Sequence, residues 1–452
     1  MKRLPLILAA CVFALGRPVS LPAKPAPLSA LQSAQQQATT SLTPTIPAPA
    51  AAQKRVTEYT LPPDLYKKAH NLGKIAFWGQ LGGVLYTVIV LLFFLNWNLA
   101  SKYRDWAERV SSSRFVQLFI FVPAFVFSFR IFLLPLDILR HWVGRKFGLV
   151  IQGWGSWAAD WAKGQGVSII IAIIAVGILF AVIRSSPRRW WFYFWLASIP
   201  LTLCLIFLQP LVVDPLFHKF EPLAQKDAPL TASLEQMVQR SGEAIPPERM
   251  FWMGAGEKLN AINAYVTGLG PSKRIVVWDT TIAKMTTPQI VYVAGHEMGH
   301  YVLNHIWKGI AFLTAVLFIA FFLGFRSMDA ILLERGARWG IRGVDDWAAL
   351  PLFIFLLTIF FFFTSPVESA FSRHLERQAD QYGLEVTRGL TADSSQIAAQ
   401  SFQILGEIDL DDPNPNPVSV LLFYSHPPIR DRVRFSLTYD PWLGSGRGEF
   451  VK

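Results

Sequence analysis

The chain of 452 residues is 52% hydrophobic, holds 16 Trp and 35 Phe, and has only 16% charged residues, against about a quarter in soluble domains. That composition and the positive mean hydropathy exclude an ordinary soluble or disordered chain and point to a membrane protein in contact with the bilayer. The net charge of +11 does not signal nucleic acid: the basic residues are scattered beside apolar runs, with no aromatic-interleaved basic patch.

Met1-Lys2-Arg3 and the apolar run Leu4 to Leu15 have the positive head and short core of a secretory signal or short N-terminal anchor, over 1–16. Leu8-Ala9-Ala10-Cys11 also has the look of a lipoprotein box, although the apolar run before it is short and continues past it. Residues 17–54, rich in Pro, Ala, Gln, Ser and Thr, read as a disordered linker. Cys11 and Cys204 are the two cysteines, so neither a disulfide framework nor a cysteine metal site is expected.

Six apolar runs follow: Ile75 to Leu95, Phe115 to Leu134, Val167 to Ile183, Trp190 to Leu208, Gly309 to Phe325 and Trp347 to Thr364. Each approaches the roughly twenty residues that cross a bilayer as a helix. Arg130, near the end of the second run, is expected to snorkel to an interface, or else to face an intramembrane cavity. The domain plan is a membrane region of four spans (55–212), a polar region (213–308), two further spans (309–364), a second polar region (365–440) and a tail (441–452). The two polar regions share one side of the membrane because two spans separate them. In the first, a helix is expected near Leu230 to Arg240 and strands around Asn263 to Thr267 and Arg274 to Trp278. The fold class is mainly α: a polytopic transmembrane helical bundle with a small α+β catalytic domain at the membrane face.

His296-Glu297-Met298-Gly299-His300 spells H-E-x-x-H after a helix-start signal at Thr287-Pro288. Residues four apart on a helix share a face, so the two imidazoles can grip one zinc ion, with Glu297 placed as base for a metal-activated water. A catalytic zinc needs a third ligand, and Glu376 is the candidate. Asp380 shares its helix face and can accept a hydrogen bond from a ligating histidine; the competing reading is a solvated charged face. A third-histidine arrangement fails, since its glycine and histidine would fall at Leu303 and Ile306. His305, five past His300 and so about 140° round a continuous helix, is expected off the metal. Pro427 and Pro428 hold the chain after His426 in a turn or helix start, which can present His426 and a following arginine to a developing oxyanion; the competing reading is a surface turn before a basic helix.

With these motifs in order, the chain resembles the type I CAAX prenyl endopeptidases, integral-membrane zinc metalloproteases of the gluzincin group. The resemblance spans about 59 to 435. It rests on Leu61-Pro62-Pro63, Asp214 to Phe220, Asn263-Ala264-Tyr265, Lys273 to Val276 with Asp279-Thr280, the H-E-x-x-H, Ser372-Arg373 with Glu376 and Ala379-Asp380, and Ser425 to Pro428 with Arg432. It implies one Zn2+ per chain on His296, His300 and Glu376, Glu297 as catalytic base, Asp380 behind the ligands, and His426 and Arg432 supporting the transition state. Asn263 and Ala264 would lie on a strand that receives an extended substrate. A chamber between the membrane helices, suited to peptide or protein substrates including lipidated ones, is also implied.

Lysines and arginines concentrate in the loops after the first, third and fifth spans, although the loop after the second also holds Arg140, Arg145, Lys146 and Lys163. The positive-inside rule then favours a periplasmic catalytic side in a bacterial inner membrane, whereas the family's eukaryotic members face the cytosol. Alternative functions are membrane-protein quality control by proteolysis, and a zinc-stabilised chamber that holds clients without cutting them; the complete set of base, ligands and oxyanion candidates argues against the last.

Overall fold

In a computed structural model, residues 55–268, 270–444 and 446–451 are described; the signal-like run, the linker and Cys11 lie outside them. Among the described residues six helices are long and apolar enough to cross a membrane, each containing one of the expected spans. Helix α1 (Pro63–Asn96) starts with proline in its first turn, where a missing N–H costs nothing. It is followed by the short amphipathic α2 (Leu99–Val110) and by α3 (Arg114–Lys146), α4 (Trp154–Ser185) and α5 (Trp190–Leu208). Phenylalanines 94, 121, 125, 129 and 180 pack with Trp347 in one continuous buried core. A guanidinium–carboxylate pair, Arg104 with Asp346, closes the end of the bundle where these loops turn.

Arg130 departs from expectation. It neither snorkels nor faces a cavity: it is 1% exposed, its Nη2 donates to Asp137 Oδ2 at 2.7 Å and its Nε to Gln165 Oε1 at 3.0 Å. The apolar run ends soon after it, but α3 continues to Lys146, so the arginine sits mid-helix and meets partners on its own helix and α4. A charge so buried persists only when paired.

Beyond α5 the chain forms a four-stranded sheet in the order β1-β2-β4-β3. Its strands are β1 (Phe220–Pro222), β2 (Met250–Met253), β3 (Ala264–Thr267) and β4 (Arg274–Trp278). Strands β2 and β4 run parallel, the other pairs antiparallel, leaving β3 as an edge. Helix α6 (Ala228–Ser241) and α7 (Thr287–Val302) pack on the face formed by Ala264, Val266, Ile275 and Val277. The membrane helices resume with α8 (His305–Arg335) and α9 (Leu350–Thr387), and the chain ends in α10 (Ser394–Asp409), α11 (Pro417–Phe423) and α12 (Ile429–Thr438).

The two polar regions meet on one side. Helix α9 carries its apolar half through the bundle and its polar half against α7. The stretch before α1 joins the same side. Gln396 exchanges hydrogen bonds with the backbone of Val56 and Gln403 with that of Thr60, while Tyr59 is buried among Phe402, Ala398 and Val433.

Candidate metal centre

The first turn of α7 is set by a capping box, in which Thr286 and Gln289 exchange backbone-to-side-chain bonds; each satisfies a donor the helix start leaves open. Three turns later His296 and His300 face the same side, their Nε2 atoms 3.3 Å apart. Glycines let a second helix come close. A Cβ on Gly295 would lie 2.8 Å from Val386 Cγ1, and one on Gly299 would lie 2.9 Å from Tyr382 Cβ; both neighbours belong to α9. This contact brings Glu376 Oε2 to 3.3 Å from His296 Nε2 and Oε1 to 3.7 Å from His300 Nε2.

All three residues are buried, and one donor atom from each lies within 4.8 Å of the others. Glu376 Oε2 is buried with no well-formed hydrogen bond, its nearest donors being His426 Nε2 at 3.2 Å and His296 Nε2 at 3.3 Å, an arrangement that a cation would complete. Tetrahedral zinc, with bonds of about 2.0–2.2 Å, sets neighbouring ligand atoms about 3.3–3.6 Å apart; the 3.3 Å between the two Nε2 atoms and between His296 Nε2 and Glu376 Oε2 match that spacing, while His300 Nε2 lies 3.7 Å from the other oxygen, Oε1. Glu297 points from the same turn, Oε1 4.0 Å from His296 Nε2, and its side chain remains partly open to solvent.

Comparison with known proteins places this arrangement. A family model described as peptidase family M48 matches residues 224–438, and one described as CAAX prenyl protease N-terminal, five membrane helices, matches 45–219. The uncharacterized metalloprotease YhfN of Bacillus subtilis (strain 168) is 34% identical over 346 residues, 76% of this chain and 79% of that one. This chain belongs to peptidase family M48. CAAX prenyl protease 1 of Saccharomyces cerevisiae is 24% identical over 418 residues, covering 84% and 89% of the two chains. The crystal structure of S. mikatae Ste24p shares the fold, with TM-score 0.71 at 23% identity, covering 83% of this chain and 89% of that one. The protein is thus a multi-pass membrane metalloendopeptidase. Within the segment matching the five-helix model, the described residues contain four helices of membrane length.

Around the His296, His300 and Glu376 group, the second nitrogen of each histidine meets a buried side chain. His296 Nδ1 lies 2.8 Å from Asp380 Oδ1, and Asp380 is gripped by Arg432, whose Nε donates to Oδ2 at 2.9 Å and Nη2 to Oδ1. Arg432 is itself buried over the Phe402 ring, 4.2 Å from its centroid, so its guanidinium is committed to Asp380. His300 Nδ1 meets His305 Nδ1 at 3.0 Å, and His305 Nε2 meets Gln378 Oε1 at 3.0 Å. His305 was expected off the metal. It stands off the donor cluster, yet it is the direct neighbour of His300. Helix α7 ends at Val302 and α8 starts after Asn304 in the left-handed region, φ 56°, so the rotation of one continuous helix does not apply. An asparagine, which tolerates that conformation, is the signal that was available.

His426 comes from the C-terminal region, its Nε2 3.2 Å from Glu376 Oε2 and its Nδ1 2.9 Å from Ser425 Oγ; its side chain is 23% exposed. Arg373 positions it from α9 by donating to the carbonyls of Val420 at 2.7 Å and Tyr424 at 2.8 Å. Asn263 is exposed and Ala264 buried against α7. Burial alone would lower the His296 pKa, but the Asp380 and Glu376 carboxylates outweigh it and push it up to about 9. Burial holds His300 well below the usual imidazole range. For Arg432 burial is outweighed by Asp380, and its pKa is raised.

Proposed function

We propose that the protein is a zinc endopeptidase that hydrolyses peptide bonds near the C-terminus of membrane-associated polypeptides, lipidated ones included. The buried His296, His300 and Glu376 cluster with Glu297 at its open side carries this reading. Those three residues would hold one Zn2+ per chain. When bound, zinc polarises the scissile carbonyl and lowers the pKa of a water to about 7.

Glu297 takes the proton from the attacking water and returns it to the departing amine nitrogen as the C–N bond breaks. Asp380 accepts the Nδ1–H of His296, leaving its Nε2 lone pair for the metal. Arg432 serves by keeping Asp380 a carboxylate, a revision of the direct oxyanion role that the resemblance implies. His426 is the partly exposed imidazole at the cluster and donates an N–H to the developing oxyanion. The substrate backbone adds beside Asn263 and Ala264 as an extra strand, a mode that asks little of side chains. The cationic loops, away from the metal, favour the cytoplasmic face and a periplasmic catalytic side in a bacterial inner membrane.

The test compares a farnesylated C-terminal peptide with its unmodified form, using purified wild type and Glu297→Gln, with zinc measured in both. Cutting that falls by at least about 100-fold in the variant while zinc remains supports the assignment. Zinc retained by the wild type with neither peptide cut would favour a holding chamber.

A further inference from the structure

Helix α11 has 7 residues, too few to persist unless its ends are tied. Both ends are tied. Asn416 Oδ1 accepts from Val418 N at 2.8 Å, and Pro417 opens the first turn, where its missing N–H costs nothing. At the other end α9 supplies donors to the last carbonyls: Ser369 Oγ donates to Leu422 O at 3.1 Å, and Arg373 Nη1 to Val420 O and Tyr424 O. Yet the face that this held helix turns outward is apolar. Val418 and Leu421, one turn apart, are 49% and 50% exposed.

The neighbours of α11 place that face by depth. The chain before it descends along α1. Asp412 pairs with His70 at 2.8 Å and reaches Gly73, both ahead of the apolar run that starts at Ile75. Phe423 meets the Phe77 ring inside that run, their centroids 6.2 Å apart. Phe77 in turn packs edge-on to Trp78, which is 68% exposed and heads an outward stripe with Leu85 and Ile89 down the first span. Tryptophan marks the level where hydrocarbon gives way to headgroups. On α9, Ser369 lies about 28 Å along the axis from Leu350, within the roughly 30 Å that hydrocarbon spans. The descending segment changes character to match, from Asp412, Asn414 and Asn416 to Val418, Leu421, Leu422 and Phe423.

We propose that α11 is seated in the lipid surface, with Val418 and Leu421 against acyl chains beside Trp78, and that this seat sets the depth of His426. The chain leaves α11 at Phe423, is held at Tyr424 O by Arg373, and brings His426 Nε2 to 3.2 Å from Glu376 Oε2. The bilayer is then the partner that completes the mounting of this histidine. The seat stands on depth and exposure alone, whereas the coupling to His426 rests on the proposed hydrolysis.

The experiment uses the full chain with serine at Cys11 and Cys204, reconstituted in phosphatidylcholine bilayers, with one thiol-linked fluorophore in V418C, in L421C, or in A392C at an exposed position ahead of α10. Expected is quenching by nitroxide-bearing acyl chains at least about threefold stronger at 418 and 421 than at 392, with the reverse order for aqueous iodide. Iodide reaching 421 as readily as 392 would put the face in water and overturn the seat. Shielding from both quenchers would assign it to a protein partner, which overturns the seat equally. For the coupling, zinc-loaded V418S/L421S in the same bilayers should show kcat lower by at least about fivefold with KM little changed, and V418I/L421M should keep the wild-type rate. An unchanged kcat in the serine variant breaks the link to His426. A wild type that cuts no peptide brings down the hydrolase reading and the coupling with it, while the depth measurement still decides the seat.

Discussion

Replacing His305 with alanine separates ligand positioning from folding. In the wild type His300 Nδ1 is buried 3.0 Å from His305 Nδ1, and His305 is 0% exposed. For His300 to offer Nε2 to a metal, Nδ1 must carry the proton, and His305 must accept it while donating Nε2–H to Gln378 Oε1. Alanine removes the acceptor and leaves a buried N–H unsatisfied, at about 1–3 kcal/mol. If that cost falls on the tautomer that binds metal, zinc affinity drops by about 5- to 150-fold. Asparagine can place an acceptor oxygen near the lost Nδ1 and should hold the loss to about threefold. The assay is chelator competition at fixed pH on both variants, with thermal unfolding of the metal-free proteins alongside. An alanine variant that folds normally and holds zinc as tightly as wild type would refute the relay.

Other outcomes follow from the same neighbourhood. Arg432→Ala leaves the Asp380 carboxylate buried without its two guanidinium bonds and should cost about 3–5 kcal/mol in unfolding free energy, with lysine an incomplete rescue; an unchanged melting temperature would contradict it. Gly299→Ala drives a Cβ to 2.9 Å from Tyr382, so it should destabilise by about 1–3 kcal/mol and release zinc more readily as α9 moves off α7; zinc retention against a chelator reads this directly. Below its raised pKa of about 9 His296 carries a proton in the metal-free protein, and a ligand must give it up. Zinc binding near pH 7.5 should therefore release a proton from His296 in addition to any lost by the metal-bound water, and the His296 share should vanish once the pH exceeds that pKa; calorimetry in buffers of different ionisation enthalpy measures the change in the count.

The six membrane helices were legible because length and apolarity define a span without any tertiary knowledge, and α7 because its start signal and its paired histidines are local. Strands β3 and β4 alternate or are β-rich enough to read, whereas β1 and β2, of 3 and 4 residues, are too short to carry a pattern. Glu376 and Asp380 could be nominated from spacing, but their distance to the histidines depends on Gly295 and Gly299 admitting α9, a property of two surfaces together. Arg432 could be placed near the site from sequence order. That its guanidinium is spent on Asp380 is visible only once α12 is docked. Arg130 misled because the end of an apolar run was taken for the end of a helix.

Helix α9 is a single element of 38 residues that begins among the far-side loops and carries Glu376 near its other end. At about 1.5 Å per residue, Glu376 lies about 39 Å along the axis from Leu350, against about 30 Å of hydrocarbon. For a helix near the bilayer normal with Leu350 at the far hydrocarbon edge, Glu376 would stand about one nanometre above the near edge. Such a rod would work as a depth gauge, so that the same sequence would be accessible on a tethered chain and out of reach on one held further from the surface.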